Sequence, residues 1–473
     1  MIDSIKHAVS KGVVIGKQHT YNEITDYLDK RFYGIPDEAS LNRMKMLDTA
    51  LGNVSQKIPA ILVAGTNGKS LTIYFTAQLL KAEGLKAATF YAPHLLTYNE
   101  RFAINNEFIT NKQFIEIANE VIGTAESLNL DCHAQELLTM IALLYFAQHT
   151  VDVALFEVAE GGSYNPVNIC HAKVATITRV TAPHISVSES QLEILAQSIA
   201  GIVKTGTHVV CGDQNKNHLS LMQKLTESTG GTWAMPIRKL AALPYPFEQL
   251  HGRCAALAER TAQLFVENFL TRDATVITDS LLTRQRGMRG RPTIEQKRRS
   301  ELYPKKTLEQ FWKEMVSDLP GRFQLLDKEK PSILLDTAHN LDAFKNLLLG
   351  IRLLHYQRPL KGLSVIVAAA KNTLFNDEFL KMVRYFFKKT SGQLFICPLN
   401  TSIPGNTEDS SWDVEQVTNE VKTMKVKSKA CKNFEEAFEW AKKSVDERNG
   451  LIVITGSQSI IREYWKQKGI KKL

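Results

Sequence analysis

Short runs of aliphatic and β-branched residues alternate along this chain with longer segments whose apolar positions recur every three or four residues. The runs Ala60 to Ala64, Ala87 to Tyr91, Val151 to Val158, Val174 to Val180 and Val209 to Gly212 have strand length and little polar alternation, the pattern of strands covered on both faces in a parallel sheet. Between them, Phe114, Ile117, Ala118, Val121 and Ile122 fall on one helical face. Further helices are predicted over 71–82, 136–148 and 255–269, and two more over 21–51 around a Gly34-Ile-Pro36 turn. A second series follows: strands at 332–335, 363–369, 393–397 and 451–455, with helices such as 377–388 and 434–444. The alternation predicts an α/β protein with two parallel sheets, and 473 residues exceed what one ordinary core holds. The boundary is placed near Asp318, giving domains 1–317 and 318–473, the first carrying an insertion at about 272–317.

Chemistry gathers where strands end. Ile61-Leu-Val-Ala-Gly-Thr-Asn-Gly-Lys-Ser70 runs from a buried strand through a glycine turn into a helix, so the backbone N–H groups of Gly65, Thr66, Asn67, Gly68 and Lys69 can converge over the positive end of the helix dipole. Phosphate suits that concavity, with Lys69 neutralising the distal phosphates and the hydroxyl of Ser70, or of Thr72, available to Mg²⁺. Val63 stands where a strict P-loop has glycine. Glu157 closes the next strand at the edge where open α/β sheets bind ligands, which suits a metal ligand. His184 follows a third strand and is a further candidate there. Ala92-Pro-His-Leu95, the charged Asn99-Glu-Arg101 and Phe102-Ala-Ile-Asn-Asn106 read as an irregular, functional loop.

Composition adds limits. An apolar fraction of 44% and a charged fraction of 23% fit a soluble globular protein; no run has membrane-span length and residues 1–17 lack a signal-peptide core, so a cytoplasmic protein is expected. The six cysteines lie far apart, without metal-site or disulfide spacing. The net charge of +9 is local: Arg284 to Lys306 holds nine basic and two acidic residues, leaving +2 for the other 450. That segment reads either as a solvated insertion or as an arm for anions such as RNA, lipid head groups or a polyanionic substrate.

Taken in order, these motifs resemble the folylpolyglutamate synthase/dihydrofolate synthase family of the Mur ligase superfamily. The resemblance rests on Val-Ala-Gly-Thr-Asn-Gly-Lys at 63–69, Pro-His-Leu at 93–95 with Asn-Glu-Arg at 99–101, Glu136 with Thr139, and Glu157 with Gly161-Gly162. It continues through Pro-Gly-Arg-Phe-Gln at 320–324, Asp336 with Ala-His-Asn at 338–340, and Thr-Gly-Ser at 455–457. It implies a P-loop Mur-ligase-like central domain followed by a smaller Rossmann-like domain. The implied reaction is amide formation: ATP phosphorylates the carboxylate of dihydropteroate or of a folate, and the amine of L-glutamate attacks the acyl phosphate. It further implies two Mg²⁺ ions, one at Ser70 and one held by Glu157 and His184; Arg322 and Asp336 on the nucleotide; His339 lining the cleft; and a monomer.

Four places depart from the family pattern. Ile199 occupies the position of a lysine that is typically carbamylated and helps hold the second metal, so that site loses a ligand. Gly161-Gly-Ser-Tyr-Asn165 replaces Gly-Gly-Arg-Leu-Asp, Ala258 stands for a nucleotide-contacting asparagine, and Ala182-Pro-His184 replaces Leu-Asp-His. The directly adjacent Lys69-Ser70 pair is closer to the peptidoglycan ligases of the superfamily. Two other readings therefore stand beside the glutamate ligase: a Mur-type ligase acting on another carboxylate, and a diverged nucleotide- or folate-binding protein.

Overall fold

The computed structural model describes residues 18–32, 36–235, 243–244, 247–270, 280–282, 307–315, 319–399 and 411–473. The basic stretch 284–306 and the boundary expected near Asp318 lie outside these residues.

Two sheets organise the chain. The first has eight strands, β1 (Ala60–Ala64), β2 (Ala87–Phe90), β3 (Phe102–Ile104), β4 (Glu107–Phe108), β5 (Val153–Glu157), β6 (Ala172–Ile177), β7 (His208–Cys211) and β8 (Thr232–Ala234), in the order β4-β3-β2-β5-β1-β6-β7-β8. The second has six, β9 (Gln324–Leu326), β10 (Ser332–Leu335), β11 (Leu363–Val367), β12 (Gln393–Ile396), β13 (Ser428–Ala430) and β14 (Leu451–Thr455), in the order β13-β12-β11-β14-β10-β9. All neighbours are parallel except at the hairpin edges, where β3 runs against β2 and β4, and β9 against β10. Phe102 to Asn106, expected as irregular loop, forms most of the β3–β4 hairpin. Asn105 and Asn106 both take positive φ, as a two-residue turn matched to strand twist requires.

Both sheets are covered on two faces, and β1 shows how alternation divides them. Ala60, Leu62 and Ala64 join a core with the helices Glu38–Ala50, Asn111–Ser127 and Ala134–Gln148, whereas Ile61 and Val63 face the helices Lys69–Ala82 and Phe247–Phe269. The short helix Leu308–Glu314 returns to this second face: Trp312 packs edge-on to Phe75 at 5.4 Å and donates its indole N–H to Glu259. In the second sheet, Leu334, Val365 and Val453 meet the helices Leu341–Gln357 and Asp377–Lys389, while Ile333, Ile366 and Ile454 meet Phe434–Lys443 and Gln458–Gln467. Five cysteines are buried, Cys254 is half-buried, and all six are free thiols. Among the described residues no helix is long and apolar enough to cross a membrane.

Glu136, part of one recognised motif, holds helices together. Its carboxylate is 1% exposed and takes two bonds from Arg43, at 2.6 and 2.9 Å, which tie the helix Glu38–Ala50 to Ala134–Gln148. Removing the cation strands a buried carboxylate, a loss on the order of 3 kcal/mol. Arg43→Ala should lower the urea midpoint of the first domain accordingly; an unchanged midpoint would refute this role.

Candidate active site

The site is built at the carboxyl edge of β5, β1 and β6. Parallel register sets Val63 of β1 beside Glu157 of β5 and Thr176 of β6, so the loop 65–70, Glu157 and the segment 178–184 emerge side by side. Gly65 has φ +128, and a Cβ there would lie 2.2 Å from Thr178 Oγ1 and 2.8 Å from the Arg179 carbonyl. Only glycine fits. Thr66 N donates to that same carbonyl at 2.7 Å, and Thr66 Oγ1 donates to Thr181 O at 2.8 Å, fixing the turn from below. Gly68, at φ +88, caps the helix Lys69–Ala82.

Lys69 and Glu157 are buried together. Lys69 Nζ donates to the carbonyls of Gly65 at 2.9 Å and Ala159 at 3.0 Å, and burial lowers its pKa against the opposing pull of Glu157 and Glu160. Glu157, 3% exposed, accepts from Ser70 Oγ at 3.2 Å and from Ala92 N at 3.5 Å. Burial raises its pKa, and Lys69 and Arg322 draw it back. Two oxygen ligands at one phosphate loop suit Mg²⁺, which takes one or two carboxylates and completes its shell with water and phosphate oxygens. Thr72 is committed elsewhere, since its hydroxyl donates to Gly68 O at 2.8 Å.

From the second sheet, the end of β10 delivers Asp336, His339 and the turn carrying Arg322. Phe323 holds an uncommon φ of +49, stabilised because its N–H donates to Asp336 Oδ2 at 2.8 Å while Ala338 N donates to Oδ1 at 2.9 Å. The neighbouring Arg322 then reaches Ser70 Oγ at 3.4 Å. Asp336 thus acts on its own domain's backbone, and burial raises its pKa to about 6. His339 Nδ1 lies 3.0 Å from Thr337 O, an acceptor only, so the proton sits on Nδ1 and Nε2 carries the lone pair. Burial lowers its pKa to about 4, leaving a neutral ring.

The other expected residues are placed as follows. His184 is exposed, no hydrogen bond or ion pair joins it to Glu157, and its charge is felt at His339. Among the described residues no three His, Cys, Asp or Glu side chains gather as a metal site. Ile199 is 1% exposed in the first core, with Gly162 pressed on its helix: a Cβ there would lie 2.1 Å from Ser198 O. Lys204 gives its ammonium to Asn168 O and Cys170 O, at 2.5 and 2.7 Å, and offers no replacement. Ala258 faces the core behind β1; the helix residue that meets the loop is Cys254, whose Sγ would lie 3.0 Å from a Cβ at Gly68.

A contact between the domains gave no signal in the sequence. Asn67 exchanges two 3.0 Å bonds with the fully buried Asn340 and donates to Asp342 Oδ2 at 2.8 Å, while Arg179 holds Asp342 Oδ1 at 2.9 Å. Asp342 opens a helix, and an acid there is ordinary dipole chemistry.

Comparison with known proteins agrees with this arrangement. No protein-family model matches the chain. Dihydrofolate synthase/folylpolyglutamate synthase of Bacillus subtilis (strain 168) is 28% identical over 322 residues, covering 65% of this chain and 70% of that protein. Folylpolyglutamate synthase of Mycobacterium tuberculosis, solved with ADP, superposes with a TM-score of 0.74 at 20% identity over 95% of this chain and 98% of its own. The bifunctional folylpolyglutamate synthase/dihydrofolate synthase of Yersinia pestis, solved with AMPPNP and a Mn ion, gives 0.70 at 19% over 96% and 100%. With the ordered motifs, the shared two-domain fold and this relative in agreement, the chain is similar in sequence and in fold to the folylpolyglutamate synthase/dihydrofolate synthases.

Proposed function

We propose that the chain is an ATP-dependent ligase that joins L-glutamate to the carboxylate of dihydropteroate or a (tetrahydro)folate. The observation that carries this reading is the meeting of Lys69, Ser70, Glu157 and Arg322, cations and metal-ligand oxygens from two domains at one phosphate loop. A carboxylate is a poor electrophile until one oxygen can leave as phosphate. Its oxygen attacks the γ-phosphorus of ATP, ADP departs, and the glutamate nitrogen then attacks the acyl carbon with loss of phosphate and a proton.

The first step brings anions together, so cations decide its rate. The loop N–H groups and Lys69 take the β- and γ-phosphates, and Arg322 adds positive charge from the second domain. Ser70 and Glu157 would hold Mg²⁺, which when bound draws charge from the phosphoryl oxygens. In the second step His339 Nε2, neutral and carrying a lone pair, accepts a hydrogen bond from the incoming amine and orients it. The Asn67–Asn340 and Arg179–Asp342 contacts keep the domains together and exclude water, which would hydrolyse the acyl phosphate. The relative's name and the nucleotide and Mn ion in the Yersinia pestis structure support the substrate class and a divalent metal. Ile199, which supplies no ligand, favours a single metal site or, as a second reading, a nucleotide- or folate-binding protein with little turnover.

The deciding assay is phosphate release from Mg-ATP with L-glutamate, with dihydropteroate or tetrahydrofolate present or omitted. Pterin-dependent ADP formation and a product heavier by one glutamyl unit are expected; ATP binding without product would favour the second reading.

Lys69→Ala should lower turnover by about 100–1000-fold with the fold retained but the melting temperature reduced, because the buried Glu157 loses the cation that favours its charged form. Normal turnover in that variant would remove the phosphate-loop argument.

Burial holds the Asp336 carboxyl up at about 6, and only the carboxylate accepts from both Phe323 and Ala338. Protonation loosens the Arg322 turn, so kcat/KM should fall as pH drops through about 6. Asp336→Asn should be slower with no such limb; a limb that persists in this variant belongs to another group.

A further inference from the structure

Asp342 is an acid held against a loop that is built to receive anions. Its Oδ2 accepts from Asn67 Nδ2 at 2.8 Å, and its Oδ1 lies 2.9 Å from Arg179 Nη1. Asn67 stands in the phosphate loop between Thr66 and Gly68, so a negative charge from the second domain sits one asparagine side chain away from the N–H groups that phosphate needs. Unopposed, that charge repels a nucleotide over a distance too short for salt to screen fully.

Arg179 opposes it from within the loop's own support. Its carbonyl accepts from Thr66 N at 2.7 Å, while its guanidinium pairs with Asp342. The other charges nearby do not take its place. Among the described residues no hydrogen bond or ion pair joins Arg253 to Asp342; Arg253 feels that acid together with Arg179 and Asp213. Asp213 gives its oxygens to the N–H groups of Val180, Gln214 and Asn215, and Glu157 and Glu160 act on the buried Lys69.

The seam between the domains has supports besides this pair. The two side chains are 30% and 19% exposed, where an ion pair adds little stability. Phe247 and His251 pack against Phe323, Ile185 N donates to Asn372 O at 3.0 Å, and Asn67 exchanges its bonds with Asn340. Asn340 also caps its own helix through Ala343 N at 3.0 Å, so its placement does not require Asp342. We propose that Arg179 is a positioning residue for the nucleotide that acts through Asp342: it cancels the acid's charge beside the phosphate loop and keeps that acid on Asn67. As a unit the pair is neutral, and losing either half shifts the field at the loop in opposite directions. This rests on the phosphate-loop part of the ligase reading and deepens it.

The test is the Kd of the full chain for Mg-AMPPNP, measured by titration calorimetry at low and high salt, with thermal melting to report folding. Arg179→Gln, which leaves Asp342 unpaired, should weaken binding about tenfold at low salt, and less at high salt as screening shortens the acid's reach. Arg179→Lys should bind close to the parent. Asp342→Asn keeps an acceptor for Asn67 but loses the charge, so it should bind more tightly than the parent. Arg179→Gln/Asp342→Asn should recover most of what Arg179→Gln loses. A pair that serves only to tie the domains makes both single variants weaker, the double variant no better than the worse of them, and salt without effect; that pattern would overturn the proposal. If Arg179→Gln folds poorly, Asp342→Asn decides, because weaker binding there contradicts the assigned role. The analogue binds without turnover, so the expected pattern in a chain that forms no product would uphold the role of Arg179 and count against the ligase alone.

Discussion

Everything in this molecule depends on keeping Lys69 and Glu157 charged where water is scarce. Burial pushes the lysine down and the carboxylate up; left alone, each would give up its charge. Against that, the loop carbonyls take the ammonium, Ser70 and a backbone N–H take the carboxylate, and each group favours the charged form of the other. That balance leaves a place where the arrival of a nucleotide's negative charge is favourable. The parallel sheet makes it possible, since three neighbouring strands end at one edge and are covered on both faces.

The second domain completes the balance through backbone geometry. Asp336 accepts two N–H bonds, one of which holds Phe323 at a positive φ that a bulky residue rarely adopts. That strain aims Arg322 at Ser70. The ring of Phe323 packs edge-on to Phe247 and His251 of the first domain's long helix, so the turn is pinned from both sides. Asn67 meets Asn340 and Asp342 across the same seam, which makes the phosphate loop part of the domain interface.

The departures from the family pattern divide by their physical consequences. Ile199 fills core volume at a helix end that Gly162 approaches closely, and nothing beside it substitutes for the missing lysine. Ser163 has a structural use: its N–H and hydroxyl both reach Ser198 O. Asn165 caps a short turn through Val167 N and donates to Glu160 O. Positions that carry charge elsewhere in the family here hold loops together.

The chain's pattern alone determined the α/β class, the two sheets and the strands at 60–64, 332–335 and 451–455, because buried parallel strands are short, apolar and bounded by turns. Gly65 to Ser70 and Glu157 were readable for the same reason: a glycine turn between strand and helix, and a charge at the end of an apolar run, have few other uses. The β3–β4 hairpin escaped because its strands are three and two residues long and its turn is set by a pair of asparagines. Only the tertiary structure decided that Asp342 and Arg179 meet at Asn67, that Cys254 rather than Ala258 touches the loop, and that His184 stands exposed. Those relations join residues far apart in the chain. Local pattern records which face a residue prefers, while packing between sheets decides what that face meets.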